Sequence, residues 1–213
     1  MARAAALGIE AGVWRTLFRW HIFYPLAALT AAAVILISLG PALLPRDARP
    51  VSGQMVEGAL WLAREDIAHP LGAPETVHFV VRDGAWEATG LRVAARMGVG
   101  ALQPEETGAQ ILINPEAALA LGEGPFRIEI RTAPVPVTTA PQVAIALERG
   151  GFREWATAET PLSDSTIAVD FPASDPGVLI SSIGIRPIAA LEDYHYGVEI
   201  RSIRIVPTRS PAS

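Results

Sequence analysis

The residues of this chain best suited to chemistry are aromatic. Trp61, Trp86 and Trp155 lie in its long polar part, and Tyr194 and Tyr196 lie close together near its end. A sugar ring presents a flat C–H face that stacks on an exposed aromatic ring, while nearby polar groups bond its hydroxyls. These five rings are therefore the candidate ligand-binding residues. The alternative is that the tryptophans fill a core and the tyrosines cover its edge.

Catalytic patterns have little support in the sequence. The polar part contains three histidines, His69, His78 and His195, and the chain has no HExxH, GxSxG or phosphate-loop motif. Its carboxylates flank strands and turns, where they are usually solvated, rather than forming the pair that glycoside hydrolysis needs. The chain has no cysteine, which excludes disulfides and thiolate metal sites. We predict no enzymatic activity, no cofactor and no metal site.

The charge distribution excludes one class of partner and suggests a setting. All 17 basic residues are arginine, and the net charge is −5. An acidic chain without a basic cluster is not expected to bind nucleic acid. The use of arginine without lysine, together with abundant alanine, is typical of proteins from GC-rich bacterial genomes.

Period-two alternation dominates the sequence between Val51 and Pro207. The final run, Gly197–Val206, changes parity once, which predicts a bulge near Arg201-Ser202. Convincing helical patterns are few, and Asn114 to Leu121 is a candidate short helix, with Asn114 as its N-cap. Other expected strands lie at 126–131, at 143–147 before the turn Gly150-Gly151, at 167–171 before Pro172, at 178–185, and, more briefly, at 77–81 and 110–113. The pattern predicts an all-β antiparallel sandwich over 52–207.

The order of these strands is similar to that of a known class of module. The stretch Gly124-Pro125-Phe126-Arg127-Ile128-Glu129-Ile130-Arg131 resembles the strand opening in carbohydrate-binding jelly rolls of the galactose-binding-like type, and the closing strand 197–206 resembles theirs. The resemblance implies a jelly-roll-like sandwich and a glycan ligand. Those modules often carry acidic or amide residues in the last strand, some of which serve a structural calcium. Because Arg201-Ser202 stands there, the resemblance carries over neither a calcium site nor a sugar-binding residue.

An uncharged run, Ile22 to Leu44, predicts a membrane anchor. It is 23 residues long, enough for a helix of roughly 35 Å against a hydrocarbon core of about 30 Å. A cleavable signal peptide would have a shorter apolar stretch and a small-residue cleavage site, which are not found here. We therefore expect one uncleaved transmembrane helix over 22–44, in contact with membrane lipid.

The flanks of this run predict an orientation. Residues 1–21 carry Arg3, Arg15 and Arg19 against Glu10, which favours a cytoplasmic N-terminus. This tail either forms a short interfacial helix or belongs to an earlier start of the span. Residues 45–51 form a proline-containing linker, and 208–213 a disordered tail. The β domain would then be periplasmic, on a single-pass protein of the bacterial inner membrane.

Small residues on the apolar run offer a packing surface. Ala27, Ala31 and Ser38 fall near one helix face, and small residues let helices approach closely in lipid. They are candidate helix-packing residues toward other integral membrane subunits.

Two functions therefore follow from the sequence. The first is a membrane-anchored periplasmic, non-catalytic binding module for a glycan. The second is an accessory or assembly subunit of a larger inner-membrane complex. An exposed tryptophan on a concave face would favour the first, and a flat apolar patch facing the membrane would favour the second.

Overall fold

The structure is a computed structural model that divides into two units, Met1–Arg46 and Asp47–Ser213. The structure describes residues 20–43, 48–84, 87–96, 102–103, 105–135, 138–188 and 197–208, and within 20–43 it describes side chains only for 23–35. The predicted interfacial helix before residue 20 and the predicted tail after residue 208 lie outside these ranges.

The first unit contains one described helix, α1, which spans Trp20–Leu43. It covers nearly all of the predicted 22–44 segment and includes Gly40-Pro41 near its end. Judged on the described residues alone, none of the helices combines the length and the hydropathy needed to cross a membrane.

The second unit consists mainly of eleven described strands, β1 to β11, in chain order. They are β1 Gln54–Val56, β2 Ala59–Ala63, β3 Thr76–Asp83, β4 Glu87–Ala95, β5 Ala109–Leu112, β6 Phe126–Ala133, β7 Gln142–Arg149, β8 Phe152–Glu159, β9 Ser165–Phe171, β10 Ile180–Ile188 and β11 Gly197–Pro207. A 3₁₀ turn at Arg64–Ile67 follows β2, and the short helix α2, Pro115–Leu121, follows β5.

Two antiparallel sheets form a sandwich. The larger has seven strands, with β11 in its middle: β6 and then β9 lie on one side of it. On its other side β4 and then β3 pair with the first half of β11, and β2 and then β1 pair with its second half. The smaller sheet has the order β5-β10-β7-β8. The expected all-β antiparallel sandwich is thus observed in the second unit.

The predicted bulge in β11 is confirmed. The register against β6 shifts between Ile200 and Ser202. As a result Val198 and Ile200 on one side of the shift, and Ile203 and Ile205 on the other, are all fully buried. An extra residue in one strand reverses the inward-facing parity, so the bulge keeps both halves of the strand facing the core.

The core lies between the sheets and is almost entirely aliphatic. The larger sheet contributes the inward-facing residues of β2, β4, β6, β9 and β11, and the smaller sheet contributes those of β5, β7 and β10. The largest of these buried side chains include Leu60, Leu91, Phe126, Ile128, Ile145 and Phe171. Outward-facing positions on the same strands therefore carry the polar residues.

The predicted local elements are largely confirmed. α2 begins with Asn114 as its N-cap, whose side chain accepts a hydrogen bond from the Glu116 N–H. The turn Gly150-Gly151 separates β7 from β8, and both glycines have positive φ. Four strands, β1, β2, β4 and β8, were not predicted. β8 is a polar edge strand without alternation, and β4 contains three alanines and a glycine, so neither shows a clear period of two.

Candidate functional site

Trp61 lies on the outer face of the larger sheet. It is in β2 between the inward-facing Leu60 and Leu62, and 41% of its surface is exposed. The antiparallel registers place Arg204 of β11 directly beside it, and Glu129 of β6 beside Arg204. Because opposite residues in antiparallel strands point to the same face, these three side chains form one outward row across the sheet.

A neighbouring row completes a groove. Ser202 of β11 pairs with Arg131 of β6, which pairs with Thr166 of β9. The two rows line a depression of about 290 Å³, which we call the Trp61 groove; its lining residues are Trp61, Glu129, Arg131, Thr166, Ser202 and Arg204. One aromatic face is thus set among two guanidinium groups, one carboxylate and two hydroxyls. This is the arrangement that stacks a ring while bonding the groups around its rim.

Ion pairs hold the arginines of the groove in place. An Nη1 of Arg204 lies 3.3 Å from an oxygen of Glu129. Arg131 donates two hydrogen bonds to the two carboxylate oxygens of Asp164, at 3.2 and 3.3 Å. These hydrogen bonds, with the charge of Asp164, raise the pKa of Arg131 above its ordinary value. Paired in this way, each guanidinium keeps further N–H donors for a ligand.

Trp155 is on the other sheet and does not contribute to this groove. It lies in β8 beside Ala146 of β7 and is half-buried. Its indole Nε1 is buried and has no hydrogen-bond partner among the described residues. The outer face of the smaller sheet, on which Trp155 lies, is covered by chain at Gly184 and Arg186 of β10. Residues 105–108, which we call the covering segment, pass over it.

Several charged contacts fix the covering segment. Arg186 of β10 is fully buried, and its Nε lies 2.9 Å from a carboxylate oxygen of Glu106. Glu75 accepts hydrogen bonds from the backbone N–H groups of Thr107 and Gly108, at 2.8 and 2.7 Å. The Thr107 carbonyl lies so close over Gly184 that a β-carbon there would collide with it.

The electrostatics of Glu75 reflect these contacts. Burial opposes its ionisation, but the backbone hydrogen bonds from Gly108 and Thr107 and the charge of Arg186 outweigh burial. The pKa of Glu75 is therefore held below its ordinary value. The carboxylate is ionised where the covering segment needs an acceptor.

The remaining predicted residues are distributed as follows. Trp86, Tyr194 and Tyr196 lie outside the described residues. Ala27 and Ala31 are exposed on α1, and the side chain of Ser38 lies outside the described ones. Among the described residues, no group of three or more histidine, aspartate and glutamate side chains is arranged to hold a metal ion.

Sequence reasoning missed the polar members of the groove. The alternation in β6 and β11 indicates that Glu129, Arg131 and Arg204 face outward, so the sequence contained that part of the answer. The alternation does not indicate that β2 pairs with β11, because no local pattern connects segments about 140 residues apart. The partners of Trp61 therefore emerge only from the strand pairing.

No family model matches the chain, and no curated protein sequence matches it either. Solved structures that are similar to it include carbohydrate-binding modules. One is the C-terminal CBM6 of LamC, a marine laminarinase from Zobellia galactanivorans, at 16% identity and a TM-score of 0.38, covering 70% of this chain and 98% of that one.

Two further modules show a comparable similarity. The carbohydrate-binding module CBM6cm-2 of lichenase 5A from Cellvibrio mixtus, solved in complex with cellotriose, is 18% identical, with a TM-score of 0.36, covering 70% of this chain and 97% of that one. The CBM22-1 xylan-binding domain of Xyn10C from Paenibacillus barcinonensis is 11% identical, with a TM-score of 0.40, covering 70% of this chain and 95% of that one. No residue role is transferred from them.

Proposed function

We propose that this protein is a non-catalytic glycan-binding module, anchored in the bacterial inner membrane with its β domain in the periplasm. The observation that carries the glycan part is the Trp61 groove. It joins a 41% exposed indole to hydroxyl, carboxylate and guanidinium groups in one depression of a rigid sheet.

The composition of the groove supports binding rather than hydrolysis. Its lining contains one carboxylate, Glu129, and that carboxylate is paired with Arg204. Glycoside hydrolysis generally uses two carboxyl groups on opposite sides of the scissile bond. A single, charge-compensated carboxylate instead suits hydrogen bonding to sugar hydroxyls.

The anchoring part of the proposal is supported by sequence. The run Ile22 to Leu44 has no charged residue, and arginines precede it. Insertion of such a run into lipid is favourable, and flanking arginines bias the N-terminus toward the cytoplasm. The anchor would hold the glycan-binding domain near the membrane surface.

Replacing Trp61 with alanine tests the glycan proposal. The full-length protein, purified in detergent, is applied to a glycan array, and affinity for the best ligand is measured by calorimetry. We expect Trp61→Ala to weaken binding up to about tenfold, since aromatic stacking contributes about 0.5–1.5 kcal/mol. Its melting temperature should change little because the indole is partly exposed.

Phe152→Ala is the matched control. Phe152 is 84% exposed at the start of β8, on the other sheet, and its loss should leave affinity unchanged. An array without any ligand would reject the glycan proposal and favour the alternative, an accessory subunit of a membrane complex. Equal loss of affinity in both variants would reject the Trp61 groove as the site.

Reporter fusions test the anchoring. A reporter that is active only after export, fused after Ser213, should be active, and the mature protein should retain its original N-terminus. The reason is that an uncleaved span with a cytoplasmic tail carries everything after it across the membrane. Activity only of a cytoplasmic reporter would reject the orientation, and an N-terminus beyond residue 40 would reject the anchor.

A further inference from the structure

On the outer face of the larger sheet, next to the bulge in β11, a buried carboxylate lies between two arginines. The Glu199 side chain is 5% exposed and lies 2.8 Å from an Nη2 of Arg92 and 2.6 Å from an Nη2 of Arg201. The two arginine side chains are 37% and 39% exposed. We call these three residues the arginine cluster. Its buried member is the anion, and its exposed members are the cations.

The arginine cluster carries an excess positive charge. Two guanidinium groups share one carboxylate, so one positive charge is left over. The arginines of the Trp61 groove differ, because Arg204 and Arg131 each have a carboxylate of their own. A local positive charge on a chain whose net charge is −5 is the kind of feature that selects an anionic group.

A second exposed aromatic ring lies beside this cluster. Phe79 of β3 pairs with Arg92 of β4 and is 58% exposed. Gly90, two residues before Arg92, lets β11 approach closely, since a β-carbon there would lie 2.8 Å from the Ile200 carbonyl oxygen. The outer face therefore has an aromatic residue beyond the cluster, as well as Trp61 in the groove.

The cluster and the groove lie along one strand. β11 carries Ser202 and Arg204 of the groove and Glu199 and Arg201 of the cluster. Arg204 is five positions after Glu199, which at about 3.3 Å per residue places the two roughly 16 Å apart along the strand. A ligand that spans them is an extended chain, longer than one sugar ring.

We propose that the Trp61 groove and the arginine cluster together bind an acidic glycan, with a sugar ring on Trp61 and a uronate carboxylate on the solvent-exposed parts of Arg92 and Arg201. This inference rests on the proposed glycan function and names its substrate class. A planar guanidinium binds a carboxylate through two parallel hydrogen bonds, and two half-exposed guanidiniums already held by Glu199 need little reordering to do so.

Matched acidic and neutral sugars test this inference. The full-length protein in detergent is titrated with oligogalacturonate and oligomannuronate, and with the same oligosaccharides after their carboxyl groups have been reduced to alcohols. We expect at least one acidic form to bind about tenfold more tightly than its reduced form, a preference that weakens as salt rises.

Two arginine variants distinguish a site from general attraction. Arg201→Gln should abolish the preference for the acidic form and leave affinity for the reduced form unchanged. Arg127→Gln is the control, because this substitution removes the same charge from the same face. Arg127 is paired with Asp170 and lies outside the groove. This variant should keep the preference. An equal loss in both variants would overturn the inference.

Other outcomes separate this inference from the proposed function. Equal binding of acidic and reduced forms, weakened by Trp61→Ala in both, would overturn the acidic ligand while supporting the glycan function. Failure of every oligosaccharide to bind, including the best ligand of the glycan array, would overturn both.

Discussion

The outer faces of the two sheets arise from the same strand alternation, but one face is open to solvent and the other is covered by chain. On the larger sheet the outward side chains of β2, β6 and β11 are open and line the Trp61 groove. On the smaller sheet the outward Arg186 is fully buried beneath the covering segment, held to Glu106. Outward-facing polar residues therefore do not by themselves make a binding face. These residues are available to a ligand only where no other segment of the chain passes over them.

The two faces also use their charges differently. On the covered face, Glu148 accepts hydrogen bonds from Arg153 and Gln110, and Arg153 also donates to the Glu106 carbonyl. These donors are used within the protein. On the open face, Arg92, Arg131, Arg201 and Arg204 are each at least one-third exposed and retain donors that face solvent. The covered face therefore contributes stability, and the open face is available for recognition.

The same substitution on the two faces should give the largest difference. Arg186→Gln leaves the Glu106 carboxylate uncompensated beneath the covering segment, and we expect a loss of about 3–5 kcal/mol in the free energy of unfolding. Arg127→Gln, in the exposed pair with Asp170, should leave the melting temperature unchanged within error because solvent screens that pair. Denaturant unfolding followed by circular dichroism measures both. Similar losses in the two variants would contradict the distinction between the faces.

Acid should act on the covered face through Glu75, with a smaller effect. A pKa that is lower in the folded than in the unfolded protein stabilises the fold above the unfolded value, about 4.3 for glutamate. That stabilisation is lost as pH falls through the folded pKa, because the Glu75 carboxyl group is then protonated in both the folded and the unfolded protein. Glu75→Gln should lower the melting temperature at neutral pH, and the gap to the wild type should narrow as pH falls below about 4.

Melting curves between pH 7 and pH 3 measure this gap. Glu65→Gln is a suitable control, since that side chain is 57% exposed in the 3₁₀ turn after β2 and is not part of the covering segment. A gap between Glu75→Gln and the wild type that stays constant down to pH 3 would contradict the assigned role of Glu75.

Local chemistry by itself determined much of this protein. Alternation predicted β6, β9 and β11, the parity change predicted the bulge near Arg201-Ser202, and the Asn114-Pro115 signal predicted α2. These features depend on neighbouring residues, on strand period and on capping, all of which can be read along the chain. The weakly alternating β4 and β8 could not be read in this way, because pairing with distant or adjacent strands, rather than a period of their own, makes them strands.

Only the tertiary structure decided which predicted residues could recognise a ligand. Trp61 and Trp155 are both tryptophans on outward strand positions, and nothing local separates them. Pairing of β2 with β11 places Trp61 among Arg204, Glu129 and Ser202, whereas Trp155 lies half-buried on the covered sheet. The physical reason is that a groove is a property of contacts between distant segments: hydrogen bonds between strands fix them, and the sequence of any one strand does not contain them.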